Sequence, residues 1–264
     1  MNHPTERLRF APHFRRGPET APPITTVVFD ADETLVDLSP AVAGALDAVL
    51  AEMRRLTPAA EALTVADLAE DWPLVFATMA SAPTPDIRRA ALARSLARVG
   101  LEPELERVAE IFFARRFALS RPFADALPAL AALRAEYTVG FATNGNSRAE
   151  RCGLAGEFAF ELYAHEGGLP KKPAPEFFAA VVEAAGCAPA AVVHVGDSWA
   201  HDVCGARDAG LRAVWLNRTG APRPPGPPPD GEVRSLADLP RMLAHLAGRV
   251  TAATRDPEER AAPR

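Results

Sequence analysis

The most constraining feature of this sequence is an apolar segment at 27–29 (VVF) that two carboxylates follow at once. β-branched and aromatic residues favour strands, and a strand without alternating polar residues is buried on both faces. Such strands belong to parallel sheets, in which ligands bind beyond the carboxyl ends of the strands. Asp30, Asp32 and Thr34 therefore stand where a parallel α/β sheet places its chemistry.

The two carboxylates of this segment constrain each other. Asp30 and Asp32 are two residues apart, so they would repel each other and lose hydration at a strand end. They are tolerable there mainly if a cation joins them or if one of them keeps a proton. An Asp after a strand is also a common turn former or helix N-cap, and this segment alone leaves both interpretations open.

Three later segments carry polar groups at a strand end or just before a helix. In chain order they supply a hydroxyl, ammonium groups and further carboxylates from these residues: Thr143 and Asn144, Lys171 and Lys172, Asp197 and Asp202. Together with DADET at 30–34, they resemble the four motifs of the haloacid dehalogenase-like (HAD) hydrolase superfamily, in the family order. The resemblance runs from about Ile24 to Leu216.

Short apolar segments alternate with helical stretches in the second half of the chain, which predicts a doubly wound parallel α/β sheet with a Rossmann-like core. Residues 40–120 instead show helical periodicity in four stretches and contain no strand candidate. We therefore predict a core formed by residues 23–39 and 121–250, with a helical-bundle cap inserted at 40–120. Residues 1–22 and 251–264 are predicted to be a disordered leader and tail.

The position of this insertion carries functional meaning. A helical cap after the first strand resembles the C1 class of the superfamily, whose members mostly act on small molecules. Closure of such a cap would exclude water and strengthen the electrostatics of a charged site. The resemblance therefore implies a small-molecule partner.

The resemblance implies a phosphatase that hydrolyses a small-molecule phosphate monoester through an aspartyl-phosphate intermediate. In that interpretation Asp30 is the nucleophile, and Asp32 is the general acid and base. Lys172, directly before a proline, would offset the acidic cluster and bridge Asp30 to phosphate. Thr143 and Asn144 would bind the phosphate oxygens.

The resemblance also implies Mg²⁺ as the cofactor. Its ligands would be Asp30, the backbone carbonyl of Asp32, and Asp197, because an oxygen-only set suits a hard cation. Asp202 is either a further metal carboxylate or an outer-shell anchor, and the outer-shell role is favoured slightly.

Two short segments indicate which branch of the superfamily the chain resembles. DADETL at 30–35 has Glu33 where many family members have Gly, and in this it is similar to pyrimidine and other nucleoside 5′-monophosphate phosphatases. WLNR at 215–218 is similar to the same branch. A nucleoside 5′-monophosphate is therefore a candidate substrate.

Three other functions share this fold or its motifs. A 2-haloacid dehalogenase uses the same nucleophile but lacks a carboxylate at the second position, so Asp32 argues against it. A phosphomutase would share all four motifs. A non-catalytic binding protein would be expected to have lost at least one motif residue, and none is missing.

Composition, net charge and cysteine spacing indicate which partners and which compartment are expected. The 264 residues are 48% hydrophobic, which is enough for a sizeable core, and the net charge of −5 gives no basic field for nucleic acid. No apolar run approaches the length of a membrane helix. Three cysteines without metal-ligand spacing favour a reducing cytoplasm. We expect a monomer or homodimer.

Several side chains are predicted to be structural. The paired arginines of the helical segment are predicted to lie mostly on solvated faces: Arg54, Arg55, Arg88, Arg89, Arg115 and Arg116. The aromatic residues of that segment are predicted to be mainly cap core, with ring stacking on a substrate as the alternative: Trp72, Phe112, Phe113 and Phe117. His194 is predicted to be a buried, hydrogen-bonded histidine, His201 to be a surface residue and Lys171 to be solvated. The Pro-rich segment 221–231 is predicted to be an extended loop.

Overall fold

The computed structural model describes residues 22–248 of the chain. Except for residue 22, the predicted leader 1–22 lies outside this range, as does the predicted tail 251–264. Within it, six strands form one sheet: β1 (Thr26–Phe29), β2 (Thr138–Thr143), β3 (Phe160–Tyr163), β4 (Val192–Gly196), β5 (Arg212–Leu216) and β6 (Gly231–Val233). Every neighbouring pair of strands is parallel.

In the described part of the chain, eight α-helices accompany the sheet. They are α1 (Leu38–Leu56), α2 (Val65–Met79), α3 (Thr84–Ala97), α4 (Leu105–Leu119), α5 (Ala126–Arg134), α6 (Pro175–Ala185), α7 (Gly205–Asp208) and α8 (Leu239–Leu246). The short α7 continues a π-helical turn at Trp199–Cys204. No helix within residues 22–248 is long and apolar enough to cross a bilayer.

Both faces of the sheet are covered, as the apolar strand at its centre predicts. Val27 and Phe29 of β1 belong to one buried cluster, which includes side chains of α5 and α8. Val28 points to the opposite face and joins a second cluster with side chains of α6 and α7. The predicted doubly wound parallel α/β class is therefore confirmed.

The strand order is β3-β2-β1-β4-β5-β6. The chain lays down β1, β2 and β3 towards one edge and then returns to place β4, β5 and β6 on the other side of β1. The order thus reverses between β1 and β4, and a crevice opens at such a switch point beyond the carboxyl ends of the strands. The segments after β1 and β4 flank this crevice.

Helices α1–α4 pack on one another around apolar clusters of their own. The larger cluster is formed mainly by α1, α3 and α4, and includes Leu46, Leu92 and Val108. A smaller cluster joins α2 to α3 through Val75 and Ile87. These helices occupy the interval that helical periodicity marks in the sequence, between β1 and β2.

The Pro-rich segment 221–231 differs from its prediction at one end. Residues 221–230 contain no helix or strand, but Gly231 begins β6, which pairs with β5 at the edge of the sheet. A strand of three residues contains too few positions to show any apolar periodicity. The sixth strand is therefore visible only in the tertiary structure.

Candidate active site

The nucleophile predicted from the sequence lies at the carboxyl end of β1, in contact with an ammonium group. The backbone N–H of Asp30 donates to the Val195 carbonyl at 2.9 Å, which extends the pairing of β1 with β4 by one residue. The Asp30 Oδ1 atom lies 2.7 Å from Lys172 Nζ. Asp30 is 8% exposed, so its charge is balanced mainly by this contact.

Lys172 is buried at the centre of the site. Its Nζ atom donates to Asp30 Oδ1, to Asp202 Oδ1 at 2.6 Å, and to the Ala142 carbonyl at 2.9 Å. All three donors of the ammonium group are therefore satisfied. Burial by itself would lower the pKa of Lys172, but Asp202 and Asp30 outweigh it and hold this pKa above its usual value.

Asp202 uses its oxygens to hold its neighbours. Its Oδ1 atom contacts Lys172 Nζ and lies 2.9 Å from His194 Nε2, and its Oδ2 atom accepts from the Ser198 backbone N–H at 3.0 Å. Burial would raise the pKa of Asp202, but Lys172 and His194 outweigh it and hold this pKa below its usual range. The side chain packs so closely on β4 that a Cβ at Gly196 would lie 2.3 Å from the Asp202 Cγ atom. These contacts favour an anchoring role for Asp202.

Asp197 follows β4 and is fixed by the turn after β1. Its backbone N–H donates to Thr34 Oγ1 at 3.1 Å, and the same hydroxyl donates to Asp197 Oδ1 at 3.3 Å. The Trp215 ring holds the Asp197 carbonyl through its Nε1 atom at 2.8 Å. Burial, and next the charge of Asp202, raise the pKa of Asp197 to about 7.

Three carboxylates converge here and could hold a metal ion. Asp30, Asp197 and Asp202 each place an oxygen within 4.8 Å of the others. Lys172 neutralises only one of three negative charges, and burial first, with Asp202 and Asp197 adding to it, raises the pKa of Asp30 well above its usual value. An oxygen-only donor set with surplus negative charge fits a hard divalent cation such as Mg²⁺.

Thr143 and Asn144 follow β2 and face the same crevice. The Asn144 side-chain amide makes two hydrogen bonds with the backbone of Lys172. Its Nδ2 donates to the Lys172 carbonyl at 2.8 Å, and its Oδ1 accepts from the Lys172 N–H at 2.6 Å. Thr143 Oγ1 accepts from the Gly145 N–H at 2.9 Å. These residues, together with Asp30 and Lys172, line a small cavity of about 110 Å³.

The side chain of Asp32 turns away from this carboxylate cluster. Its Oδ1 atom accepts a hydrogen bond from Ser147 Oγ and lies 3.5 Å from Arg116 Nη2. Burial raises the pKa of Asp32, and Arg116 and Ser147 partly offset this shift. A Cβ at Gly145 would lie 2.3 Å from Asp32 Oδ2, so glycine is what leaves room for the carboxylate. The side chain remains 24% exposed and thus accessible to a ligand.

The prediction of solvated arginines is wrong for two of them. Arg116 on α4 is 3% exposed and Arg88 on α3 is 8% exposed. The sequence pairs them with Arg115 and Arg89, but on a helix adjacent residues face different directions. Which member of each pair is buried depends on how α3 and α4 lie over the strand ends. Arg116 and its partner Ser147 are site residues that no motif in the sequence marks.

A second cavity of about 1080 Å³ opens beside the small one, between α1–α4 and the strand ends. Both cavities share Asp32, Asn144 and Lys172 among their lining residues, so the two spaces adjoin. Trp72, Phe112 and Phe113 line the larger one, which places these rings beside a ligand space as well as in the helical core.

The helical part and the strand ends touch directly across this cavity. Thr84 Oγ1 donates to the Asn144 carbonyl at 3.0 Å, and Lys171 Nζ donates to the Ala80 carbonyl at 3.0 Å. Lys171, predicted to be solvated, is therefore only partly so: it is half-buried and makes this one exposed bond. These bonds connect Ala80, just after α2, and Thr84, at the start of α3, to the segments that follow β3 and β2.

The two histidines near Asp202 only partly match their predictions. His194 is buried as predicted, and its Nε2 atom contacts Asp202, but Nδ1 has no hydrogen-bond partner among the described residues. His201, predicted to be a surface residue, is half-buried, because it lies in the π-helical turn over the crevice, where its Nδ1 atom is 3.1 Å from Ser198 Oγ.

Glu33 has a backbone conformation that glycine adopts more readily than other residues. Its φ angle is 60°, in the left-handed region that favours glycine. Its Oε1 atom accepts from the Ser39 N–H at 2.9 Å and from Ser39 Oγ at 2.7 Å, in the first turn of α1. Asp37 at the N-cap makes no side-chain cap hydrogen bond, so Glu33 supplies that cap from a distance.

Comparison with known proteins gives consistent matches. A family profile of haloacid dehalogenase-like hydrolases matches residues 24–210. A phosphoserine phosphatase of Thermus thermophilus is 38% identical over 153 residues, covering 55% of this chain and 60% of that protein. The pyrimidine 5′-nucleotidase YjjG of Escherichia coli is 31% identical over 151 residues, covering 55% of this chain and 66% of that protein. Both matches span less than two thirds of the curated relative.

A solved structure extends the match over most of the fold. The 2-haloacid dehalogenase of Pseudomonas syringae pv. tomato superposes with a TM-score of 0.69 at 32% identity. The alignment covers 84% of this chain and 99% of that one. Similar proteins thus include two phosphatases and a dehalogenase.

Proposed function

The chain belongs to the haloacid dehalogenase-like hydrolase family, and we propose that it is a Mg²⁺-dependent phosphatase of a small-molecule phosphate monoester. The observation that carries this proposal is the pair of carboxylates after β1. Asp30 contacts the buried ammonium of Lys172, while Asp32 points separately into the ligand space. Two carboxylates with different surroundings suit the two roles of nucleophile and proton carrier.

In the proposed reaction, Asp30 attacks phosphorus and becomes an aspartyl phosphate. A phosphate dianion repels an anionic nucleophile, so positive charge must lie beside both. Lys172 supplies one such charge 2.7 Å from Asp30. Thr143 and Asn144, which line the same small cavity, would donate to the phosphate oxygens.

We propose that Asp30, the backbone carbonyl of Asp32, and Asp197 hold Mg²⁺. When bound, the ion would neutralise phosphate charge and polarise the bond to the leaving group. Asp202 acts as an anchor in this proposal, since Lys172, His194 and the Ser198 N–H already engage its oxygens.

Asp32 is proposed to move the proton. It would protonate the leaving oxygen as the ester bond breaks, and later accept a proton from the water that hydrolyses the aspartyl phosphate. Arg116 and Ser147 orient its carboxylate, and burial raises its pKa, which favours the protonated form that a proton donor needs.

We further propose that residues 40–120 act as a cap over a core made of 23–39 and 121–250. The cavity of about 1080 Å³ between them is large enough for a nucleotide-sized molecule. This enclosure favours a small molecule over a protein or nucleic acid. The similarity to the nucleotidase YjjG makes nucleoside monophosphates one class to test.

A 2-haloacid dehalogenase is the second candidate, because the Pseudomonas syringae enzyme aligns over nearly its whole length. Dehalogenation also begins with attack by an Asp of the Asp30 type. It needs no metal and no acid for the leaving halide. Dehalogenation would use neither Asp32 as an acid nor a metal site formed by Asp30, Asp197 and Asp202. The presence of both features favours the phosphatase.

A direct assay separates the two candidates. We expect hydrolysis of phosphate monoesters that requires Mg²⁺ and stops in EDTA, and no release of chloride from 2-chloropropionate. The panel comprises nucleoside monophosphates, sugar phosphates, flavin mononucleotide, phosphoserine and 2-phosphoglycolate, with released phosphate as the readout. Chloride release in EDTA, without phosphatase activity, would establish the dehalogenase instead.

Replacing Asp32 with Asn tests the proton-carrier role separately from metal binding. The proposed metal contact of Asp32 is its carbonyl, so Mg²⁺ affinity should stay nearly unchanged. Turnover should fall by about 10²–10⁴-fold with alkyl phosphates, because alkoxides are poor leaving groups that need a proton. With p-nitrophenyl phosphate the first step should be impaired less, which a pre-steady-state burst of p-nitrophenolate would measure.

Asp37→Asn is the matched control, since Asp37 lies on the same connection and makes no side-chain cap bond. It should behave like the wild type with both kinds of substrate. Equal losses on good and poor leaving groups in Asp32→Asn, with weakened Mg²⁺ binding, would instead make Asp32 a metal or structural residue.

A further inference from the structure

Arg88 is a buried charge that the proposed reaction does not use. It lies on α3, is 8% exposed, and lines the larger cavity. Its side chain makes no hydrogen bond and no ion pair with any of residues 22–248. Burying an unpaired charge is costly, so a protein seldom places one beside a cavity without a counterion.

The other arginines of this part of the fold contrast with Arg88. Arg94 and Arg98 both pair with the buried carboxylate of Asp71, at 3.2 Å and 2.7 Å. Arg89 lies 3.5 Å from Glu106. Arg88 alone of these four has no carboxylate partner within the described residues, and it is the one that faces the cavity.

Two aromatic rings hold the Arg88 guanidinium in place. Its Cζ atom lies 4.1 Å from the centroid of the Trp72 ring and 4.7 Å from that of Phe112. Both rings also line the cavity. Cation–π contacts fix the orientation of a guanidinium and leave its N–H groups free to donate, because the rings offer faces instead of acceptor atoms.

The surrounding charge is also positive. Burial, and next the charge of Arg116, lower the pKa of Arg88 to about 10, so it remains protonated at neutral pH. Arg116 has a carboxylate neighbour in Asp32, whereas no carboxylate of residues 22–248 pairs with Arg88. The cavity therefore holds a cationic position that is distinct from the phosphate-binding end near Lys172.

We propose that Arg88 binds a second anionic group of the substrate, carried by the leaving group at the end remote from the phosphate. This rests on the proposed function, because it assumes that the phosphate lies beside Asp30. The part of the leaving group between the two anions would be flat or apolar, since Trp72 and Phe112 line the space. A carboxylate and a second phosphate both match the planar donor fork of an arginine.

The test compares acids with matched neutral amides. The substrates are para-carboxyphenyl phosphate and the longer carboxybiphenyl phosphate, each beside its primary amide, together with biphenyl bisphosphate beside the hydroxybiphenyl monophosphate. In the wild type, kcat/KM should be higher for at least one anion than for its neutral match by about 10- to 100-fold, the range of a charged hydrogen bond. The favoured pair identifies the anion as carboxylate or phosphate.

Arg88→Met should reduce this preference to about one. It should change kcat/KM for the neutral match by no more than about threefold, because the neutral match offers no anion to the guanidinium and the Met side chain still packs between the Trp72 and Phe112 rings. Arg88→Gln is a second neutral variant, so that a folding defect in one does not imitate loss of binding. Arg89→Met is the matched control on the neighbouring position and should keep the wild-type preference. Melting temperatures confirm that each variant is folded.

A binding experiment separates this proposal from the phosphatase proposal. Biphenylcarboxylate and biphenylcarboxamide, which contain no phosphate, are titrated calorimetrically into the wild type and both neutral variants. If the acid binds in an Arg88-dependent way but no phosphate ester is hydrolysed, the proposed anion site is supported and the proposed phosphatase activity is refuted. An absence of preference in the wild type in both experiments, or a preference that survives in both neutral variants, would show that Arg88 only braces Trp72 and Phe112.

Discussion

Turnover is expected to fall by on the order of 10⁴-fold or more when Asp30 is replaced by Asn, as is typical for loss of a nucleophile. An amide nitrogen or oxygen cannot form the aspartyl phosphate, and it binds Mg²⁺ more weakly than a carboxylate does. The measurement is steady-state turnover with Mg²⁺, together with intact-protein mass spectrometry after acid quench, which should detect phosphorylated wild type and no phosphorylated variant.

The fold should survive this substitution. Lys172 keeps its contacts with Asp202 and with the Ala142 carbonyl, and one of three crowded negative charges is removed. The melting temperature without Mg²⁺ should therefore be equal to or higher than that of the wild type. Asp37→Asn should leave turnover unchanged. Near-normal rates in Asp30→Asn would refute the covalent mechanism.

Replacing Lys172 with Met is expected to lower the free energy of unfolding by about 3–5 kcal/mol, as when one partner of a buried ion pair is removed. The ammonium is 1% exposed and contacts both Asp30 and Asp202, so its loss leaves two buried carboxylates without their shared cation. Turnover should fall as well, because the positive charge beside the nucleophile is gone. Urea unfolding without Mg²⁺ measures the stability.

The stability gap between this variant and the wild type should narrow as pH falls from about 8 to 5. In the wild type Lys172 and His194 hold the pKa of Asp202 below its usual range. Ionised Asp202 therefore contributes to the free energy of unfolding at any pH above its pKa in the unfolded chain, and this stabilisation is lost only in stronger acid. In the variant the pKa values of Asp30 and Asp202 rise. Protonation at lower pH then removes the uncompensated charges and restores part of the stability.

Lys171→Met is the matched control, since Lys171 is the neighbouring lysine and, among residues 22–248, contacts the Ala80 carbonyl and the Phe76 ring but no carboxylate. Its loss should cost about 1 kcal/mol or less, the usual contribution of a single partly exposed hydrogen bond. If both lysine variants lose similar stability, or if the Lys172 gap does not depend on pH, the carboxylate pairing is not what stabilises the site.

Local patterns in the sequence predict most of the fold. The apolar segment at 27–29 identifies the central strand, because only a strand covered on both faces can lack polar positions. The helical periodicity of α1–α4 and the βα alternation after them follow from the same rule of burial. The three-residue β6 escapes such patterns, since it forms only because β5 offers it a free edge.

The residues of the candidate site also fall into two groups, those that the sequence pattern predicts and those that it does not. Asp30, Asp197 and Lys172 carry a signal in the sequence, because polar groups directly after apolar strands or before a helix stand out from their surroundings. Arg116 and Arg88 carry none, since they belong to arginine pairs on amphipathic helices. A solvated arginine and a buried one have identical sequence context there.

The sequence by itself determined the class of the sheet, the order of the polar groups along it, and the presence of a helical insertion after the first strand. Burial and hydrogen bonding of the backbone act over a few residues, so these features are local. Only the tertiary structure decided that Asp202 anchors Lys172, that Asp32 faces Arg116, and that Arg88 lies unpaired beside the larger cavity. Those contacts join residues up to 84 positions apart in the chain, and their geometry depends on how α1–α4 pack over the strand ends.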